Sequence, residues 1–209
     1  MSYEHLLWQR PLNVQGVDSV LWIKTDNGAF EGPLMDWQNS HKAKYIKHCK
    51  KFDVVACAGG NQGMYPRFFS KMFKTVYTFE PDPLNFHCLV NNCQDDNIIK
   101  FQAALGNSHQ MVKVIRDSTM TNVGTHTVQT GGIIPQLRLD DIEFNDLDLI
   151  QLDIEGYEDE AVKGALSTIE KFKPLITVER NNPGIRSLLV PLGYEEVEVS
   201  SADTFYKVP

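Results

Sequence analysis

The sequence has no excess of positive charge and no long apolar run. Its 209 residues include 20 Lys and Arg against 27 Asp and Glu, which gives a formal net charge of −7. A generally basic face for nucleic acid is therefore not expected. No stretch approaches the roughly 20 apolar residues that span a bilayer, and the N-terminus lacks the basic and apolar segments of a secretory signal. We expect a cytoplasmic protein with neither a membrane nor a nucleic-acid partner.

Cysteine and histidine are also sparse, and their spacing excludes the common metal motifs. The four cysteines form no C-x-x-C pair, and the six histidines form no H-x-x-x-H pair. We therefore expect reduced thiols rather than disulfides or a zinc site. His126, in a long polar segment, is the one histidine that we consider as a general base.

Residues 1–50 differ in character from the rest of the chain. Residues 19–25 are typical of a strand, 26–28 of a tight turn and 29–31 of a short return strand. Asp36 could cap a helix that runs to about Lys50. We interpret residues 1–50 as an N-terminal extension that packs on a core domain formed by residues 51–209.

From Phe52 onward, apolar strands alternate with amphipathic helices. The predicted strands are 53–58, 75–80, 98–105, 111–116, 148–153 and 174–179, with a closing hairpin of 194–200 and 204–208. One predicted helix begins near Pro66, and three others span residues 84–92, 158–172 and 184–192. Residues 117–132 are a polar stretch. This order predicts an α/β fold, with a mainly parallel sheet that carries helices on both faces. In such sheets the ligand lies beyond the carboxyl ends of the strands.

The first core strand ends in a glycine-rich turn that contains Gly59, Gly60, Asn61 and Gly63. Glycines let the backbone turn tightly and approach a ligand. Glu80 ends the second strand, 21 positions after Gly59, close to the roughly 20-residue offset at which an acid binds a ribose. Together, the turn and the acid indicate a cofactor that contains a nucleoside.

Residues at the next strand end are candidates for the base of that nucleoside. Gln102 could pair with an adenine edge, and the small side chain of Ala103 would leave room for the ring. Asp82 follows Glu80 closely, and we count it among the cofactor-binding candidates.

The fourth core strand ends in an acidic segment that contains Asp153, Glu155 and Glu158. Crowded carboxylates must be solvated, paired or coordinated. Asp153 could face a cationic ligand or a reacting hydroxyl, and we consider it as catalytic and cofactor-binding. With Glu179 or Asn181 it could form an oxygen-rich site for magnesium, but we assign no metal ligand.

These residues, in this order, resemble the FkbM family of S-adenosylmethionine-dependent methyltransferases over about residues 52–194. The motifs that carry the resemblance are Gly59-x-Asn61-x-Gly63, Phe79-Glu80-Pro81-Asp82-Pro83, Ala104-Leu105-Gly106, Leu139-Asp140-Asp141 and 153–158. The resemblance implies a class I methyltransferase fold, Rossmann-like, with a mainly parallel seven-stranded sheet and a reversed last hairpin. It also implies S-adenosylmethionine as cofactor and a hydroxyl acceptor on a sugar or another small molecule.

Carried over by position, the resemblance gives individual residues their roles. The glycine turn would approach the methionine part of the cofactor, Glu80 would hold the ribose hydroxyls, and Gln102 would flank the adenine. Two positions depart from the family pattern. Cys57 stands where the family usually has Asp, which removes one predicted partner of the cofactor's ammonium group, and Gln151 stands where it often has Lys.

The leading prediction is therefore methyl transfer to a hydroxyl by in-line displacement at the sulfonium methyl. A non-catalytic cofactor-binding or scaffold protein is the alternative, because of Cys57 and the lack of an obvious base. A nicotinamide-dependent oxidoreductase is disfavoured, because the G-x-G-x-x-G fingerprint fails at Asn61. The acceptor and the oligomeric state, including a homo-oligomer, are left open.

Overall fold

The computed structural model describes residues 3–14, 17–26, 42–116, 122–179, 183–200 and 203–209. The strands are β1 Leu7–Val14, β2 Val17–Ile23, β3 Val54–Ala58, β4 Thr75–Phe79, β5 Ile98–Phe101, β6 Ala104–Leu105, β7 Gln110–Ile115, β8 Thr127–Thr130, β9 Ile134–Leu137, β10 Leu149–Leu152, β11 Leu175–Glu179, β12 Glu195–Val199 and β13 Asp203–Lys207. The helices are α1 over residues 42–48, α2 Met64–Ser70, α3 Pro83–Asn92, α4 Glu158–Lys163, α5 Leu166–Phe172 and α6 Pro183–Leu189. In these described ranges, no helix is long and apolar enough to cross a bilayer.

A seven-stranded sheet forms the centre, in the order β12-β13-β11-β10-β3-β4-β5. Strands β11, β10, β3, β4 and β5 run parallel, and the β12–β13 hairpin joins them in antiparallel pairing. The inner strands β3 and β10 are almost wholly buried, as expected for a parallel sheet covered on both faces. The seven-stranded sheet and its reversed last hairpin are confirmed.

Helices cover both faces of this sheet, and each face has its own apolar core. Helices α1 to α3 pack on one face, where Tyr45, Phe69 and Leu89 are fully buried. Helices α4 to α6 pack on the other, around Ile169 and Ile185. The two cores fix the sheet, so the strand tips are held in a defined arrangement.

The predicted third strand, 98–105, is wrong in its extent. It ends at Phe101, and β6 leaves the central sheet to pair with β9 in a second sheet of order β6-β9-β7-β8. Strand β8, at residues 127–130, lies within the stretch 117–132 that we described only as polar. Strand β7 was predicted as residues 111–116, β6 falls within the predicted strand 98–105, and β8 and β9 were not predicted.

The predicted helix 158–172 is two helices, separated by Gly164 and Ala165. A Cβ added at Gly164 would lie 1.9 Å from the carbonyl oxygen of Gly106. Two backbones therefore meet at this point, and only glycine allows the approach. The chain turns there because of this tertiary contact, which the helical pattern does not reveal.

The N-terminal hairpin consists of β1 and β2, paired antiparallel. The predicted strand 19–25 corresponds to β2, but its partner precedes it in the chain. The rest of the predicted turn, the return strand 29–31 and the cap at Asp36 lie outside the described residues. The hairpin packs on α3, where Asn92 accepts a hydrogen bond from Leu21 N at 2.8 Å and donates one to Leu21 O at 2.9 Å.

Candidate active site

A cleft of about 540 Å³ opens at the carboxyl ends of the parallel strands. The tips of β3, β4, β10 and β11 contribute Gly59, Glu80, Asp153 and Glu179 to its lining. Asn122–His126 and the N-terminal hairpin close it from other sides. The cleft thus lies where the strand order predicts a ligand.

The glycine turn after β3 is shaped by contacts that exclude side chains. Gly59 has a φ of +83° and its added Cβ would lie 1.8 Å from the Asp153 carbonyl oxygen. An added Cβ at Gly60 would lie 2.6 Å from Thr78 Oγ1. Asn61 also adopts a left-handed φ, of 45°, which asparagine tolerates better than most residues. Of the predicted cofactor-binding residues of this turn, Gly59, Gly60 and Asn61 line the cleft, and Gly63 is not among the lining residues.

Glu80 lies at the tip of β4 and is only 5% exposed. Its carboxylate accepts hydrogen bonds from Asn61 N at 2.7 Å and from Asp82 N at 2.8 Å. Burial raises the pKa of Glu80 to about 8, although these two backbone donors and the Asn85 side chain oppose the rise. In the ionised form each oxygen keeps capacity for one more donor, and in the protonated form one oxygen can also donate, so the side chain can bind hydroxyl groups from the cleft in either form.

Asp82 has a role that the sequence did not indicate. Its carboxylate caps α3 through Leu84 N and Asn85 N, at 2.8 and 3.3 Å. It also accepts two hydrogen bonds from the Arg116 guanidinium, at 2.7 and 2.8 Å, and lies 3.0 Å from His126 Nδ1. Burial alone would raise the pKa of Asp82, but the hydrogen bonds from His126 and Arg116 hold it well below its usual value. Five protein contacts use the roughly four lone pairs of this carboxylate, so it organises the site rather than offering itself to a cofactor.

His126 lines the cleft directly after a short helical turn at residues 123–125. Its side chain is 15% exposed. Because ionised Asp82 only accepts hydrogen bonds, Nδ1 carries the hydrogen between them, and Nε2 of a neutral ring is left with its lone pair. His126 is thus oriented by Asp82 through Nδ1.

Asp153, Glu155 and Glu179 bring carboxylate oxygens within 4.8 Å of one another at the cleft wall. Burial raises the pKa of Asp153 well above its usual value, and the negative charges of Glu179 and Glu155 raise it further. Glu155 has a left-handed φ of 54°, an unusual conformation for this residue type and one found often at functional sites. Such a cluster can bind a cation, either an organic ammonium group or a hard metal ion. Asn181 lies outside the described residues.

The two departures from the family pattern are neighbours. Cys57 and Gln151 face each other in the register of β3 and β10, and the thiol donates to Gln151 Oε1 at 2.9 Å. Cys57 is fully buried and is not part of the cleft lining. Its side chain therefore packs between strands and helices instead of meeting a ligand in the cleft.

The proposed adenine side of the cleft is apolar. Ala103 and Ala104 line it together with Val114 and Val128 from the second sheet. Gln102 is exposed and is not among the lining residues. Its contact with adenine stays a prediction, and the geometry assigns this wall to small apolar side chains.

The N-terminal hairpin is tied to the glycine turn through polar contacts that sequence analysis missed. Gln62 accepts a hydrogen bond from Ile23 N at 2.9 Å and donates one to Asp26 at 2.7 Å. Asp26 also accepts one from Val123 N at 3.3 Å. No motif marked these residues, although the position of Gln62 inside the glycine turn was a usable signal. Trp22, whose side chain is buried, also lines the cleft.

Comparison with known proteins agrees with this arrangement. A family profile described as the methyltransferase FkbM domain matches residues 53–196, more than half of the chain. No curated protein matches the chain.

Three solved structures illustrate the similarity of the fold. A methyltransferase FkbM from Methylobacillus flagellatus KT has 21% identity and a TM-score of 0.50; the match covers 75% of this chain and 43% of that one, so this chain spans less than half of that protein. Precorrin 8W decarboxylase from Methanobacterium thermoautotrophicum has 15% identity, 87% and 95% coverage and a TM-score of 0.51. The N-methyltransferase NodS from Bradyrhizobium japonicum WM9 has 9% identity, 86% and 98% coverage and a TM-score of 0.51.

At these identities the solved structures support the fold alone, whereas the profile match identifies the family. The chain belongs to the FkbM methyltransferase domain family, with the α/β fold of class I methyltransferases.

Proposed function

We propose that this protein transfers a methyl group from S-adenosylmethionine to a hydroxyl group of a sugar or another small molecule. The observation that carries the proposal is the placement of Glu80, the glycine turn and His126 around one cleft. The first two suit a nucleoside cofactor, and the third suits removal of a hydroxyl proton.

The residues of the cleft fit the cofactor in three places. Glu80 offers two carboxyl oxygens to the ribose hydroxyls, which accept when the group is ionised and of which one can donate when it is protonated. Asn61 Oδ1 is buried with no hydrogen-bond partner among the described residues, so a donor from a ligand would satisfy it. The acidic cluster of Asp153, Glu155 and Glu179 suits a cationic group, which the cofactor's ammonium supplies. When bound, S-adenosylmethionine supplies an electrophilic methyl group.

The chain's own contribution to the reaction is orientation and proton removal. His126 Nε2 would accept the acceptor's hydroxyl proton, and Asp82 holds the ring through Nδ1 and stabilises the imidazolium that results. Arg116 neutralises part of the charge of Asp82 and fixes the carboxylate in place. Asp153 at the tip of β10 would hold either the cofactor's ammonium group or the acceptor.

The test is a methyl-transfer assay over a panel of sugars and polyols, with S-adenosylhomocysteine detected by mass spectrometry. We expect turnover with at least one acceptor, and a loss of about 10²–10⁴-fold in His126→Ala with little change in cofactor affinity. His109→Ala is the matched control, because His109 is 62% exposed, pairs with Asp141 and is not among the cleft-lining residues. Equal rates in wild type and His126→Ala would remove His126 from the mechanism.

The alternative proposal, a non-catalytic cofactor-binding protein, has lost part of its motivation. It rested partly on Cys57, whose side chain is not part of the cleft lining. Cofactor binding without transfer to any hydroxyl or amine acceptor would favour it.

Addition of magnesium to the same methyl-transfer assay tests the acidic cluster. A magnesium requirement would favour a metal ion held by Asp153, Glu155 and Glu179.

A further inference from the structure

Asn85 presents an unsatisfied acceptor at the edge of the cleft. It lies in the first turn of α3, lines the cleft and is 2% exposed. Its Oδ1 is buried and has no hydrogen-bond partner among the described residues. A buried polar atom without a partner costs roughly 1–3 kcal/mol, so its persistence here calls for a ligand or another specific cause.

The surroundings fix which end of the amide is free. Asn85 Nδ2 donates to Val123 O at 3.3 Å, and the side chain is one of the groups that stabilise the charged form of Glu80. Val123 O can only accept, and Glu80 accepts in its charged form, so both contacts use the NH₂ end of the amide. Exchange of the two ends would place an oxygen against these acceptors, and Oδ1 therefore remains the atom that needs a donor.

Asn92 shows that the unsatisfied state is not a general property of this helix. It lies two turns further along α3 and is also buried. Its Oδ1 accepts from Leu21 N at 2.8 Å, and its Nδ2 donates to Leu21 O and Gln62 O at 2.9 and 2.7 Å. Asn92 is not among the cleft-lining residues. The acceptor without a partner thus occurs where the helix meets the cleft.

We propose that Asn85 accepts a hydrogen bond from one of the two ribose hydroxyls of the cofactor and so contributes to selection of a ribose. The inference rests on the proposed function, because it requires a nucleoside in the cleft. Glu80 and Asn85 interact with each other, so a hydroxyl bound to Glu80 would lie beside the amide.

The test is calorimetric titration of the whole chain with S-adenosylhomocysteine and with its 2′-deoxy and 3′-deoxy analogues. In Asn85→Leu, we expect affinity for S-adenosylhomocysteine to fall about tenfold to 100-fold, and discrimination against one of the two analogues to shrink. Asn91→Leu is the control on the same helix, since Asn91 is exposed and its side chain donates to His87 O. Thermal unfolding establishes that both variants are folded.

Each outcome separates this inference from the proposed function. If wild type binds S-adenosylhomocysteine, and Asn85→Leu binds it and both analogues with the same affinities as wild type does, the inference is wrong and the proposed function stands. If wild type does not bind, the proposed function fails. Should Asn85→Leu not fold, side-chain amide NMR of wild type decides: the Asn85 signal should shift with S-adenosylhomocysteine and shift less with the analogue that lacks the donor. No shift would overturn the inference.

Discussion

The buried carboxyl group of Glu80 predicts a specific dependence of stability on pH. Its pKa is about 8 in the folded protein against an ordinary value of 4.5. Between these values the folded protein keeps the proton while the unfolded chain releases it. The unfolded state therefore binds fewer protons, and the free energy of unfolding falls as pH rises.

The magnitude follows from the size of the shift. Each pH unit within this window removes up to about 1.4 kcal/mol, so the whole interval of roughly 3.5 units corresponds to about 5 kcal/mol. Between pH 6 and pH 8 the loss is about 2 kcal/mol. Because the pKa of Glu80 is raised in the folded state, its contribution to the free energy of unfolding is fully present below about pH 4.5 and is lost as the pH rises to about 8.

The assay is urea unfolding of wild type and Glu80→Gln at pH 6, 7 and 8. The variant has no titrating group at this position, so its stability should fall by about 2 kcal/mol less than that of wild type across this range. The variant should also lose a constant amount of stability, because Asn61 N and Asp82 N donate to different oxygens and an amide has only one. The difference in slope, not the absolute stability, is the observable, since every other titratable group is common to both proteins.

Asp95→Asn is the control for the loss of a carboxylate. Hydrogen bonds from Lys71 and Ser70 hold the pKa of Asp95 below its usual value, so it is ionised in both states at pH 6 to 8. Its pH slope should match that of wild type. Identical slopes for wild type and Glu80→Gln would refute the reasoning about Glu80.

Two further predictions concern the strands around the cleft. Gly59→Ala should prevent folding or lower the free energy of unfolding by more than about 3 kcal/mol, because its Cβ would collide with the Asp153 carbonyl. Circular dichroism and urea unfolding measure this loss. A fully stable variant would contradict the close approach of the Gly59 and Asp153 backbones. Cys57→Asp should destabilise by about 3 kcal/mol or more, because it buries an unpaired carboxylate, whereas Cys57→Asp with Gln151→Lys should recover most of that loss. Additive losses in the double variant, measured by the same unfolding assay, would show that the two positions are not coupled.

Most of the central fold could be predicted because its signals are local. The apolar run of β3, the glycine turn and the proline near the start of α2 occur within about fifteen residues of one another. The same pattern repeats along the chain, so a mainly parallel sheet with helices on both faces follows from general rules of connection. The hairpin β12–β13 was predicted for the same reason.

The errors occur where a distant contact overrides the local pattern. Gly164 interrupts a helix because its backbone meets Gly106, and β6 leaves the main sheet because β9 offers it a partner. The pairing of Cys57 with Gln151 depends on strand register. Sequence analysis named both residues but treated them as separate features.

The residues of the candidate site also divide into those that local sequence signals indicate and those whose role depends on distant contacts. The place of Glu80 and the glycine turn at the cleft could be predicted because both follow buried strands, at the spacing typical of a ribose-binding acid. Their contact with a cofactor stays a prediction. Asp82 was assigned to the cofactor, and its use as helix cap and partner of His126 requires residues 44 positions apart to meet. Asn85 had no sequence signal of its own, because its relevance depends on an acceptor left without a partner.

The most direct test of the account is calorimetric titration of the purified chain with S-adenosylhomocysteine. We predict saturable binding in wild type and its loss in Glu80→Ala, which keeps the glycine turn but removes the carboxylate. Binding that is unchanged in Glu80→Ala would remove Glu80 from the cofactor site. The absence of binding in wild type would contradict the central claim that the cleft at the strand tips holds this cofactor.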